Sequence, residues 1–236
     1  MKYVFAAVVL GSAVAYAQNG PQPQAVDPGG PGKAPSDAIV LFDGKDLSEW
    51  VHADGQPARW TVRDGAVICK TGTGDIRTKH KFRSAQIHVE FATPNMPEQH
   101  GQFRGNSGVY IQGRYEVQVL DSYQNPTYAD GSCGALYGQH APLVNACRPP
   151  EQWQSYDMIF HPPRCGPEGK VSQPGSLTVL QNGVLVLDRV PVAEPTGGAD
   201  ATSVCDPGPL RLQDHVDPHV KETPVRFRNM WYRSLE

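Results

Sequence analysis

Residues 103–123 read FRGNSGVYIQGRYEVQVLDSY, two alternating runs on either side of a tight turn. In residues 107–112, Val109 and Ile111 share one face, and Tyr110 and Gln112 share the other. Gly113-Arg114 is read as closing the turn. Residues 115–121 alternate again, with Tyr115, Val117 and Val119 toward a core and Glu116 and Gln118 opposite. Strict alternation would send Asp121 inward; a bulge between Gln118 and Asp121 returns it to the side of Glu116. Two carboxylates and an amide then line one face of an otherwise apolar strand. Such a face is either a polar cleft lying on a sheet or a solvated outer surface.

The chain around this hairpin has the same character. Its 236 residues suit one large β domain rather than two ordinary ones. It holds 24 Gly and 22 Pro, with only 19% charged residues, which fits many short strands joined by turns rather than a helical bundle. Net charge is −3 and no basic run exists, so nucleic acid and anionic membranes are not expected partners. Residues 1–17 have the form of a secretory signal: Lys2, an apolar stretch, then Ala15-Tyr16-Ala17 as a cleavage site. This implies an exported protein, periplasmic or secreted, free of the membrane after cleavage. Residues 18–35, rich in Pro and Gly and nearly without apolar bulk, read as a disordered tether. The folded domain is expected over residues 36–236.

Within it, residues 39–42 form a short apolar strand, and DLSEW at 46–50 is read as one helical turn. Residues 59–70 make a hairpin about Asp64-Gly65, and 84–93 alternate cleanly. A short strand is expected at 134–137 within a long loop-rich segment. Residues 153–161 put Trp153, Ser155, Asp157, Ile159 and His161 on one face. Asn182-Gly183 joins 176–181 to 184–187, and 209–215 and 225–232 close the fold. About ten strands without a three-turn amphipathic helix imply a two-sheet antiparallel sandwich or jelly roll.

Export permits disulfides, and the five cysteines leave at least one unpaired. Cys165 with Cys205, which bracket the Asn182-Gly183 hairpin, is the preferred pair, and Cys133 with Cys147 the second. Cys69 is read as a buried apolar filler. His215 and His219, with Asp214 and Asp217, could hold a metal, but in a loop that spacing means little, and no metal is assigned. No Gly-rich phosphate loop, G-x-S-x-G or H-E-x-x-H is present.

Five ordered blocks resemble the 3-keto-disaccharide hydrolase family (the DUF1080 domain): LFDGKDLSEW, GNSGVYIQGRYEVQVLDSY, CGALYGQHAPLVNACRPPEQWQSYDMIF, LTVLQNGVLV, and GPLRLQDH with PVRFRNMWYR. The likeness runs from about Ile39 to the C-terminus. It implies an all-β, concanavalin A-like jelly roll acting on 3-keto-glycosides. This chain departs from the family in a longer segment at 215–223 and in its extra cysteines. EVQVLD also resembles the acid-bearing strand of laminarinase-type glycosidases. Glu116 would match their nucleophile and Asp121 their acid/base, with Gln118 in place of a middle Asp. In retaining glycosidases the two carboxyls lie ~5–5.5 Å apart.

A 3-keto sugar offers a second route, because the carbonyl at C3 acidifies the C2 proton. A base removes that proton, the C1 aglycone leaves, and water adds to the enone. Glu116 or Asp121 would be the base. Tyr110, Tyr137, His215 or Arg104 would supply donors, Asn106 and Gln118 would meet the sugar, and Trp153 would offer an apolar platform. No flavin or nicotinamide motif is visible, so no cofactor is assigned and a separate sugar 3-dehydrogenase is expected upstream. Two functions remain open: an exported enzyme cleaving 3-keto-glycosides, and a non-catalytic carbohydrate-binding jelly roll.

Overall fold

Alternation of apolar and polar side chains builds antiparallel strands throughout. The computed structural model describes residues 22–30 and 32–236, so the signal segment expected at 1–17 lies outside the described residues. In chain order, β1 is Ile39–Phe42, β2 Trp50–Val51, β3 Thr61–Arg63, β4 Ala66–Ile68, β5 Ile76–Phe82, β6 Ala85–Ala92, β7 Ser107–Ile111 and β8 Tyr115–Val119. There follow β9 Gln154–His161, β10 Arg164–Cys165, β11 Val171–Gln173, β12 Gly175–Gln181, β13 Val184–Val192, β14 Gly208–Leu212 and β15 Arg226–Ser234.

One sheet runs β13-β12-β9-β6-β15-β4-β3, with β1 also paired to β15. The other runs β2-β5-β14-β7-β8, and β10 and β11 form a separate hairpin. The inward residues of β6 and β9 (Ile87, Val89, Phe91, Tyr156, Met158, Phe160) meet those of β7 and β8 (Val109, Ile111, Tyr115, Val117, Val119) in a single core. The Tyr115 and Phe160 rings, one from each sheet, lie 5.5 Å apart. This is the two-sheet packing of an antiparallel sandwich, and the fold is of the jelly-roll class.

Several local expectations are corrected. The central turn is centred on Gln112-Gly113, not Gly113-Arg114. Both have positive φ (55° and 68°), and Arg114 N donates to Ile111 O at 3.1 Å. That left-handed pair matches the twist of the flanking strands. Arg114 is wholly buried and structural, with its guanidinium bonded to Thr202 Oγ1 at 3.0 Å and to Ser203 O. DLSEW forms a turn in which Trp50 N donates to Leu47 O at 2.9 Å, without a helix. Residues 134–137 form isolated bridges along the free edge of β8 rather than a strand.

Cys165 and Cys205 are joined in a disulfide with Cα atoms 5.9 Å apart, pinning β10 to the loop that Arg114 holds. Cys133 and Cys147 are free thiols that share the Gln181 amide, whose Nε2 lies 3.4 and 3.2 Å from the two sulfurs. Cys69 is buried but is not merely apolar filler, because its thiol donates to Asp214 Oδ1 at 3.7 Å. Among the described residues no helix is long and apolar enough to cross a membrane.

Candidate active site

Antiparallel register lines up four outward side chains across the five-stranded sheet. Arg77 on β5 lies opposite Arg211 on β14, Arg211 opposite Tyr110 on β7, and Tyr110 opposite Glu116 on β8. The next row, one alternation on, runs through Gln213, Gly108 and Gln118. Gly108 pairs with Gln118, and Gln213 N donates to Gly108 O at 3.0 Å. Gly108 lacks a side chain for a spatial reason. An alanine Cβ there would overlap Glu116 Oε1 and come within 2.9 Å of Tyr110 Cε2. The Glu116 carboxyl thus lies over bare backbone.

Residues 193–200, between β13 and β14, cross over this face and bury it. Thr196 Oγ1 accepts from Glu116 N at 3.0 Å and donates to Arg114 O at 3.1 Å. Gly198 O accepts from Arg211 Nη2 at 2.7 Å. Asp200 takes Arg77 Nη1 at 2.8 Å and Arg211 Nη1 at 2.9 Å. The Arg211 guanidinium lies 3.7 Å from the centre of the Tyr110 ring. Glu116 is left only 3% exposed, although its strand face points away from the core.

The Tyr110 hydroxyl donates to Glu116 Oε2 at 2.7 Å and has Gly197 O at 3.0 Å. Burial pushes Glu116 up to about 7. The Tyr110 hydrogen bond and Arg211 pull it down, and Asp75 adds to the rise. Burial, reinforced by the Glu116 charge, also holds the Tyr110 phenol well above its ordinary value, so it stays a proton donor. When Glu116 is ionised, the phenol proton belongs to the carboxylate. When Glu116 takes up a proton, it can donate back to Tyr110 Oη, and the phenol can turn its hydrogen to Gly197 O. Burial also holds the His215 imidazole below its usual value, which favours the neutral ring.

A cavity of about 260 Å³ opens here. Of the nine side chains expected at the site, Asn106, Tyr110, Glu116, Gln118, Tyr137 and His215 line it. Gly197, Gly198 and Gln213 complete the walls. The Tyr137 hydroxyl is held by Tyr128 at 2.7 Å. A larger hollow of about 700 Å³ beside the disulfide, between Arg83, His161 and Arg164, contains no buried titratable side chain among the described residues.

Arg104, Asp121 and Trp153 do not line the cavity. Val119 and Leu120 both enter the core, so the strand pattern breaks before Asp121. Asp121 is buried against Arg104, with Nε 2.8 Å from Oδ2, and its Oδ1 accepts from Tyr123 N at 3.1 Å. Trp153 immediately precedes β9 of the other sheet, where Arg228 and Arg226 stand 4.0 and 5.3 Å from its ring. Six of the nine residues therefore share one cavity, and Arg104, Asp121 and Trp153 stand apart from it. The metal-like spacing at 214–219 also disperses. Asp214 caps Gly74 N at 2.8 Å, Asp217 accepts from His219 N at 2.8 Å, and His219 meets the Phe103 ring edge-on.

Sequence reading missed Arg77, Arg211, Asp200, Gln213 and the Thr196-Gly197-Gly198 segment. The alternation of PLRLQ, with Arg211 and Gln213 on its polar face, was the available signal.

A family model described as a 3-keto-alpha-glucoside-1,2-lyase-like domain matches residues 37–233. No curated protein matches the chain. A solved structure from Parabacteroides distasonis, provisionally classed as a glycosyl hydrolase, is 43% identical over 92% of this chain and 93% of that one, with a TM-score of 0.84. A second from the same organism, classed the same way, is 19% identical over 85% of this chain and 94% of that one, with a TM-score of 0.59, and bears on the fold alone.

Proposed function

The chain belongs to the family of 3-keto-alpha-glucoside-1,2-lyase-like domains, and from that premise we propose that it is an exported enzyme cleaving 3-keto-glycosides by elimination across C1–C2. The observation that carries this reading is Glu116: a carboxylate buried in a cavity, raised to about 7 and bonded to a phenol. A general base works best with a value near the operating pH.

In this reading Glu116 takes the proton from C2, and the electron pair delocalises onto the C3 oxygen. A neutral His215 N–H donates to that oxygen. The C1–O bond breaks, and the aglycone oxygen takes a proton, for which Tyr137 is the lining hydroxyl. Water then adds across the resulting C1=C2 bond, with oxygen going to C1 and a proton to C2. Tyr110 steadies Glu116 in both protonation states by turning its hydrogen between the carboxylate and Gly197 O. The substrate is made elsewhere, by a sugar 3-dehydrogenase. Export is part of the proposal. The pattern of residues 1–17 supports it, and the Cys165–Cys205 bond fits an oxidising compartment.

Incubation with 3-keto-glucosides in D₂O tests the route. Elimination releases aglycone and leaves deuterium at C2 above the spontaneous rate, and Glu116→Gln removes both effects. Release of aglycone without enzyme-dependent deuterium at C2 replaces elimination by displacement at C1. No release from any 3-keto-glucoside overturns the substrate assignment.

A further inference from the structure

Among the described residues, two side chains that line the cavity each carry a buried acceptor with no protein donor: Gln118 Oε1 and Gln213 Oε1. The orientation of Gln118 traces back to a backbone carbonyl, which cannot flip. Gly131 O accepts from Gln102 Nε2 at 2.9 Å and lies 3.4 Å from Gln118 Nε2. With its amide set that way, Gln102 presents Oε1 to Gln118 Nε2 at 3.0 Å. Gln118, only 1% exposed, therefore keeps its carbonyl free. Gln213 is oriented by the catalytic pair. The Tyr110 proton goes to Glu116 or to Gly197 O, so Gln213 Nε2 donates to Tyr110 Oη, at 3.3 Å, and its oxygen is left over.

The two amides flank the side-chain-free floor at Gly108, over which the Glu116 carboxyl lies. The recess thus offers hydrogen-bond acceptors from three sides. Among the described residues no Lys or Arg lines it, and the nearby Arg211 is engaged by Asp200 and Gly198 O. A buried acceptor left unmet is costly, and a site built to receive hydroxyl protons discriminates strongly against groups that cannot donate them.

We propose that this cavity selects an uncharged sugar ring presenting two free hydroxyls, one donated to Gln118 Oε1 and the other to Gln213 Oε1, and that it rejects uronic-acid and phosphorylated sugars. The proposal rests on the reading of this cavity as the glycoside site and adds the class of ring it accepts.

The test is binding of both anomers of methyl glucopyranoside and of methyl glucuronoside to the mature protein, followed by ligand-detected NMR or calorimetry. A glucopyranoside is expected to bind at least roughly tenfold more tightly than its glucuronoside. Gln213→Met and Gln118→Met should each weaken glucopyranoside binding roughly 3- to 10-fold, the worth of one neutral hydrogen bond. Gln118 also braces Gln102, whereas among the described residues the side chain of Gln213 bonds only to Tyr110, so a melting curve for Gln213→Met separates lost binding from lost fold. Equal binding of the glucuronoside, wild-type affinity in either variant, or no saturable binding of the glucopyranosides overturns the proposal. Selectivity for the neutral ring without cleavage of 3-keto-glucosides leaves it standing and removes the 3-keto reading. Cleavage together with equal binding of the glucuronoside does the reverse.

Discussion

At Glu116, burial raises the carboxyl to about 7 against the pull of Tyr110 and Arg211. As the proposed base it must be ionised, so kcat/KM should climb with pH through about 7 and then level off. Glu116→Gln should lower kcat by ~10²–10⁴-fold and abolish that limb of the profile. Stability should move oppositely. Between the ordinary glutamate value and 7, the folded chain holds a proton that the unfolded chain has lost. Wild-type stability therefore falls as pH rises across that window, by on the order of 3 kcal/mol at most. Glu116→Gln has no such loss, so its advantage in melting temperature should grow up to pH 7 and then stay constant. Asp121 behaves differently, since its partner is Arg104 and it stands outside the cavity. Asp121→Asn leaves Arg104 without its counter-charge. It should cost about 3 kcal/mol in denaturant unfolding while kcat stays within a few-fold of wild type. A fall in kcat comparable to that of Glu116→Gln would return Asp121 to the chemistry.

At the scale of the element, β7 and β8 act through their pairing. Gly108 is the residue that lets the Glu116 side chain lie flat across β7. Gly108→Ala should keep the fold, because the strand backbone there tolerates a side chain, yet displace the carboxylate. Misplacement of a reacting group by about 1 Å costs roughly 10² in rate. The expected pattern is thus a kcat lowered about 100-fold with circular dichroism unchanged, and full activity would refute the placement of Glu116 over this floor. The loop at 193–200 is the complementary element. Thr196 ties it to the β8 backbone, and Asp200 ties it to β5 and β14. It converts an outer strand face into a dry one.

For the whole molecule, the disulfide is the long-range staple. It joins Cys165 to Cys205 across 40 positions and connects the β10–β11 hairpin to the loop anchored on buried Arg114. Double replacement by Ser should lower stability by about 2–4 kcal/mol, read as a lower melting temperature that reductant no longer shifts. Because Arg114 continues directly into β8, loosening this region should also raise KM. An unchanged melting temperature in the replaced protein would remove the staple from the account.

What the sequence determined by itself was local. Period-two alternation marked β6, β7, β8, β9 and β12, and the Asp64-Gly65 and Asn182-Gly183 pairs marked their hairpins, because both signals depend only on neighbouring residues. Glu116, Gln118, Tyr110 and Asn106 were legible for the same reason, being polar positions on or beside apolar strands. β5 was not, since its pairing with β14 shifts register between Pro209 and Arg211 and the alternation of IRTKHKF blurs. Alternation also separates inward from outward without saying which outward face is meant, and a sandwich has two. Glu116 stands on the outer face of one sheet, whereas Trp153, just before β9, packs against Arg226 and Arg228 of the other. Only tertiary structure brought Arg77, Arg211, Tyr110 and Glu116 into one row, laid residues 193–200 over them, and so supplied the burial that raises Glu116. Register between distant strands and removal of water are properties of the packed chain, set by which faces meet rather than by any one segment.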